Sequence, residues 1–192
     1  MIKDEEEIDL MRKSSKINDR VMEILQSEFK EGYTEKHYAR LLDEIYENEG
    51  AQGFSFDPIV AYGENAADPH HEPDGTKLKK GDSIVIDIGG VYNYYCSDMT
   101  RTIFFGMKPS EEHRKIYEVV KNANLNAIAK VKDGVKFSEI DASARDFITQ
   151  EGFGEYFTHR TGHSIGLEDH DKGDVSSINH AEVKEGMIFS IE

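Results

Sequence analysis

Residues 83–105 read SIVIDIGGVYNYYCSDMTRTIFF, and the fold turns on this stretch. Ile84, Ile86 and Ile88 alternate with Val85 and Asp87, the period of a strand buried on one face. The segment from Tyr94 to Phe105 can run back beside it. With a turn centred on Tyr92-Asn93, facing residues would have numbers summing to 185, which sets Asp87 opposite Asp98. Two opposed carboxylates repel, and a sheet tolerates them where a cation or a shared proton compensates. Read alone, the pair also fits a solvated strand-end aspartate and a turn cap.

Outward from this hairpin the chain is helical. Ile8, Met11, Ile17, Val21, Ile24, Leu25 and Phe29 recur at helical spacing over about Asp4 to Lys30. A break at Gly32 follows, then Thr34 as N-cap, the stripe Tyr38, Leu41, Leu42 and Ile45, and a stop at Gly50. Past the hairpin the order recurs. Ser110 opens a third helix through Ile116, Val119, Val120, Ala123, Ala127 and Val131. A fourth follows Gly134, with Ile140, Ala144, Phe147 and Ile148 on one face and Gly152 at its end. Gly32, Glu49 and Gly50 return 102 residues later as Gly134, Glu151 and Gly152. LKKGDSIVID (78–87) aligns with VKEGMIFSIE (183–192) at an offset of 105, which lays Asp87 on Glu192. The expectation is an α+β chain of two related halves, about 1–107 and 108–192, each helix, helix, loop, strands, sharing one core and one cleft.

Composition narrows the function. The 192 residues carry a net charge of −15, which repels nucleic acid and anionic lipid. No stretch approaches the roughly 18 apolar residues of a membrane helix. The single cysteine, Cys96, excludes an intrachain disulfide and an all-thiolate zinc site and suits a reducing compartment, so the localisation expected is cytoplasmic. Histidines cluster at 70 and 71, then at 159, 163 and 170, each group upstream of an acidic strand. Asp87, Asp98, His163 and Glu192 make an oxygen-rich donor set with one nitrogen, suited to Mn²⁺, Co²⁺, Fe²⁺ or Zn²⁺ rather than Ca²⁺.

Asp87-(ten residues)-Asp98, then HRTGHSIGLEDH (159–170), then EGMIFSIE (185–192) resemble the pita-bread metallopeptidases over the whole chain. The block SDMTRT (97–102) resembles their Xaa-Pro dipeptidase and Xaa-Pro aminopeptidase branch. The resemblance implies a pita-bread fold around two divalent metal ions, Mn or Co first and Zn or Fe as alternatives. It also implies hydrolysis of Xaa-Pro bonds in proline-containing peptides by a metal-activated water. It makes Asp87 the bidentate ligand of one metal, Asp98 the bridging carboxylate, His163 the imidazole on the second metal, and Glu192 a ligand that also handles the proton of the attacking water. His70 resembles a substrate-binding histidine, ahead of its neighbour His71. His170 resembles the histidine that steadies the substrate carbonyl, while His159 lines the pocket or serves structure.

Arg160, beside these histidines, is the candidate for capturing a substrate carboxylate, and Cys96 is read as a buried strand residue. Ser164 stands where the family often has glycine, and His170-Asp171-Lys172-Gly173 where a His-Glu-x-Pro run is common. The family continues past the Glu192 position through a strand pair with a further bridging glutamate, so a partial catalytic domain is expected. An open sheet edge there would favour a homodimer. Besides an inactive truncated fragment, two other readings share the fold: a non-catalytic peptide- or protein-binding member, and a metal-free hydrolase of guanidino or amidine compounds. The retained ligands weigh against both.

Overall fold

The computed structural model describes residues 2–192. In chain order these form α1 (Glu5–Glu28), α2 (Glu35–Glu49), β1 (Ile59–Tyr62), β2 (Ser83–Ile88), β3 (Val91–Tyr92), β4 (Tyr95–Cys96), β5 (Met99–Phe104), α3 (Glu111–Lys130), α4 (Phe137–Gln150), β6 (Gly162–His163) and β7 (Asp174–Val175). The chain packs as two compact units: residues 9–109 with 167–169, here the α1–β5 unit, and residues 2–8, 110–166 and 170–192, the α3–β7 unit. No helix among the described residues is long and apolar enough to cross a membrane.

Helix ends follow from local chemistry. Asp4 and Glu7 exchange side-chain-to-backbone hydrogen bonds of 2.8 and 2.9 Å, a capping box that starts α1. Thr34 Oγ1 accepts from His37 N at 3.2 Å, and Ser110 Oγ from His113 N at 3.1 Å. Gly50, with φ +89°, turns the chain out of α2, a conformation that costs any other residue a clash at Cβ.

In the α1–β5 unit an antiparallel sheet of order β1-β2-β5 carries one buried face. Ile84, Ile86 and Ile88 are fully buried and pack with Val21, Leu25, Leu42 and Tyr46. Each such isoleucine contributes about 1.5–3 kcal/mol by leaving water. On α1 the helical pattern is overridden at three positions. Ile24 is exposed, while Ser14 and Asn18 are buried because they donate to the carbonyls of Gly90 and Ile88, each at 3.0 Å. Those carbonyls lie where the chain leaves β2, and each is a buried acceptor that the helix side chain satisfies, Gly90 O alongside Ser97 N.

The hairpin register differs from the expected one. Asn93 and Tyr94, with φ of +45° and +71°, form the turn, so it centres one residue later than Tyr92-Asn93. Positive φ at both central residues gives the turn whose twist matches paired strands; asparagine tolerates that region readily, and Tyr94 adopts it as well. Asp87 therefore faces Thr100, not Asp98. The shift changes the pairing sum by two, so the alternation of faces is kept and Asp98 falls diagonally across from Asp87.

The α3–β7 unit builds its helical hairpin as the α1–β5 unit does. Gly32 N donates to Leu78 O and Gly134 N to Val183 O, both at 2.9 Å; Leu78 N meets Tyr33 O at 2.9 Å and Val183 N meets Val135 O at 2.7 Å. Gly152, like Gly50, has φ +89°. Its core gathers Val119, Ala123, Ala127, Ile140, Ala144, Ile148 and Val175. Ile116 and Val120, expected in the α3 stripe, are exposed, and the buried line runs through the smaller Ala123 and Ala127 instead. Each unit thus has its own cluster of buried apolar side chains.

Candidate functional site

In the α1–β5 unit, Asp87 lies in mid-strand on the half-buried face of β2 and accepts from Thr100 Oγ1 at 2.8 Å. Asp98 immediately precedes β5, half-buried. Burial pushes the Tyr46 phenol well above its ordinary range, and the negative charges of both Asp87 and Asp98 add to the effect, so the two carboxylates share one electrostatic neighbourhood. Gly89 and Gly90 make this possible. A Cβ on Gly89 would meet Ser97 O at 2.1 Å, and one on Gly90 would meet the Tyr46 ring at 2.5 Å. Cys96 is buried in β4, as a strand residue would be.

Elsewhere in this unit, His70 is exposed, its backbone N–H held by Asp68 Oδ1 at 2.9 Å. His71 turns the other way, with Nε2 2.7 Å from Glu35 Oε2. Glu35, His71 and Asp74 offer ligating atoms within 4.8 Å of one another. The Glu35 carboxylate, however, already accepts from Tyr62 N, Asn65 Nδ2 and Asp74 N at 2.8, 3.0 and 3.0 Å. That is the environment of an anchored anion rather than of an open cation site.

In the α3–β7 unit, His163 is 3% exposed on β6. Its Nε2 lies 2.9 Å from Glu192 Oε1, and its Nδ1 faces the Ser164 carbonyl at 3.2 Å. Both ring nitrogens face oxygen acceptors, so without a cation a proton on Nε2 bridges to Glu192, while an Nδ1–H directed at the Ser164 carbonyl would free Nε2 to act as a ligand. A divalent cation between Nε2 and Oε1 would replace the proton that otherwise bridges them. Burial pushes the Glu192 carboxyl up, but hydrogen bonds from His163 and Ser190 and the charges of His163 and His159 outweigh it and hold the group below its ordinary value. A buried nitrogen donor with an ionised oxygen donor beside it on the solvent side fits a transition metal.

The backbone holds this pair together. Ser190 N donates to His163 O at 2.7 Å and Glu192 N to Thr161 O at 2.8 Å, so residues 189–192 run beside β6. Ser190 Oγ donates to Glu192 Oε1 at 2.7 Å. The His170 ring packs edge-on to His163, centroids 4.0 Å apart, and Arg160 Nη2 lies 3.3 Å from His170 Nδ1. His159 Nδ1 contacts Arg160 O at 2.7 Å and its ring meets Phe157.

Two ion pairs support these loops. Asp141, wholly buried on α4, binds Arg145 through two 2.8 Å bonds and Thr161 Oγ1 at 2.7 Å, while Arg145 also donates to Phe157 O and His159 O. Lys3, 7% exposed, binds Asp171 at 3.1 Å, next to His170. The structure thus brings His163, Glu192, His170 and Arg160 together, places Asp87 and Asp98 diagonally on one hairpin, and leaves His70 on an exposed segment. Sequence reasoning missed Glu35, Lys3–Asp171 and Asp141–Arg145; only the last had a signal, its i,i+4 spacing.

Helical hairpins built twice over, with an acidic strand hairpin in one unit and a His–Glu pair in the other, make up the pita-bread fold of metal-dependent peptidases. The chain belongs to metallopeptidase family M24, which matches residues 9–192. Among solved structures, the prolidase from Pyrococcus furiosus is 38% identical with a TM-score of 0.96, covering 99% of this chain and 56% of its own. The Xaa-Pro dipeptidase from Bacillus anthracis is 37% identical with a TM-score of 0.97, covering 100% of this chain and 54% of its own. An uncharacterised peptidase of Staphylococcus aureus is 42% identical over 191 residues, 100% of this chain and 54% of its own. The chain spans about half the length of the curated relatives it matches.

Proposed function

We propose that this chain carries catalytic machinery of a metal-dependent peptidase that cleaves Xaa-Pro bonds in proline-containing peptides, in the cytoplasm. The observation that carries the reading is the pair of buried His163 and partly exposed Glu192, 2.9 Å apart, with the His170 ring packed on His163 and Arg160 against His170. A prolidase and an Xaa-Pro dipeptidase among the similar structures support the choice of bond.

On this reading Asp87, Asp98, His163 and Glu192 hold two divalent ions, Mn²⁺ or Co²⁺ before Zn²⁺ or Fe²⁺. When bound, such ions lower the pKa of water and polarise the scissile carbonyl. Glu192 remains ionised near neutrality and takes the proton of the attacking water at a carboxylate oxygen, then returns it to the leaving nitrogen. His170 donates a hydrogen bond to the substrate carbonyl oxygen as charge develops there, and His70 orients the peptide. Arg160 offers a planar fork of donors for a terminal carboxylate, which would favour dipeptides over longer chains. The His163 and Ser190 contacts on Glu192 keep it from swinging away while the proton is in transit.

The test is hydrolysis of an Xaa-Pro dipeptide against the matching Xaa-Leu dipeptide with Mn²⁺, alongside Mn²⁺ binding by calorimetry. The expected result is Xaa-Pro cleavage and two binding events, both lost in Asp98→Ala. Tight Mn²⁺ binding without preference for proline would retain the metallopeptidase and overturn the specificity. The same preparation in sedimentation velocity tests the homodimer, and a monomer at high concentration would remove it.

A further inference from the structure

Glu35 is the first residue of α2 and has no exposed surface. A carboxylate buried so completely must find donors on every side, because the water it loses is not otherwise replaced. Its four donors all come from one stretch of chain. Oε1 accepts from Tyr62 N at 2.8 Å and Asn65 Nδ2 at 3.0 Å; Oε2 meets His71 Nε2 at 2.7 Å and Asp74 N at 3.0 Å. The backbone repeats the attachment, with Glu35 N donating to Thr76 O and Lys36 N to Asp74 O, at 3.2 and 3.1 Å. Asn65 Nδ2 also reaches Thr76 Oγ1, closing the base of the loop.

The stretch so gathered, residues 62–76, has little regular structure beyond the single turn Gly63–Ala67 and no core side chain after Tyr62. Without the carboxylate nothing of comparable strength ties its middle to the helix. His70 sits at its tip, between Pro69 and the anchored His71. One histidine of the pair is thus committed to the anchor, and the other is presented outward.

Resting on the peptidase reading above, we propose that Glu35 is a positioning residue: through His71 it fixes the loop 62–76 and so sets where His70 meets the peptide substrate. The role differs from that of a ligand or general base, since Glu35 touches neither the reacting atoms nor the residues proposed to hold metal. It predicts an effect on substrate binding ahead of turnover.

Three variants separate the possibilities. Glu35→Gln keeps the volume but turns an NH₂ toward groups that themselves donate. His71→Phe removes the donor on the loop side, and His71→Gln restores one at similar reach. For an Xaa-Pro dipeptide with Mn²⁺, Glu35→Gln and His71→Phe are expected to raise KM about tenfold with kcat within about threefold, the size of one lost charge-assisted hydrogen bond read out as binding. His71→Gln is expected to recover most of the loss, and Mn²⁺ affinity to stay unchanged in all three.

Backbone amide exchange across 62–76 is measured on the same proteins, with α4 amides as the internal control for folding. Faster exchange confined to the loop, together with the KM effect, supports the proposal. Wild-type KM in both disruptive variants overturns it, as does a loss of kcat with KM intact. If the wild-type protein cleaves no Xaa-Pro peptide, the functional reading fails separately. Loop exchange then decides the anchor: unchanged protection in His71→Phe and Glu35→Gln overturns it, and selective loss upholds it.

Discussion

Removing Arg145 should cost more at neutral pH than removing its partner Asp141, and the difference should shrink in acid. Asp141 is fully buried, whereas the Arg145 side chain keeps 29% of its surface exposed. In Asp141→Ala the guanidinium can rehydrate and still donates to Phe157 O and His159 O, so the loss sits at the low end for a broken buried pair, about 3 kcal/mol. In Arg145→Met a carboxylate with no water is left with Thr161 alone, and the cost moves toward about 5 kcal/mol.

The sign with pH follows from the two states of Asp141. In the wild type, burial raises its pKa but the hydrogen bonds from Arg145 and Thr161 and the Arg145 charge outweigh it, leaving the group below its ordinary value. It therefore contributes stability above the unfolded pKa that is lost as pH falls through the folded one. Without Arg145, desolvation dominates and the pKa rises above the unfolded value. The penalty is then full at neutral pH and is relieved as pH falls through the raised pKa. Urea unfolding at pH 7 and pH 5, with m-values shown equal, measures both variants. A gap between wild type and Arg145→Met that fails to narrow at pH 5 would refute the account. So would an Asp141→Ala cost below about 1 kcal/mol, the range of a mere surface pair.

Other expected outcomes can be checked on the same protein. In Gly162→Ala the new methyl would meet Ser190 O at 2.0 Å, and backbone cannot yield, so residues 189–192 part from β6; a loss of about 2–3 kcal/mol in urea and loss of Mn²⁺ binding are expected. Asp171→Ala leaves the buried Lys3 ammonium unpaired and should cost about 3 kcal/mol, against about 1 kcal/mol for Lys3→Met, whose partner is 25% exposed. Equal costs would mean that Lys3 reaches water. On the proposed mechanism Glu192→Gln lowers kcat by about 10²–10⁴-fold, and retained turnover would assign the proton transfer to another group.

How far the chain could be read in advance depends on the range of the interaction. Thr34 as an N-cap, Ser110 as the opening of the third helix, Gly50 as a helix stop and the alternation Ile84-Ile86-Ile88 each depend on neighbours within a few residues, and each stands in the structure as read. The repeat at offsets of 102 and 105 was visible because equal backbone demands recur, a positive φ at Gly32 and Gly134 above all. The hairpin register was misread by one residue at the turn, because Tyr92-Asn93 and Asn93-Tyr94 are both polar enough to turn and only strand twist chooses between them.

Sequence alone therefore determined the helices, the acidic strand, the family signature and the donor types, since these rest on periodicity, capping and ordered short motifs. Tertiary structure alone decided that Ser14 and Asn18 displace Ile24 from the buried face, that His71 is committed to Glu35 while His70 is not, and that Lys3 finds Asp171 across 168 positions. These are matters of which polar group meets which after burial. A buried donor or acceptor takes the partner that packing brings within about 3 Å, and separation along the chain carries no record of that choice.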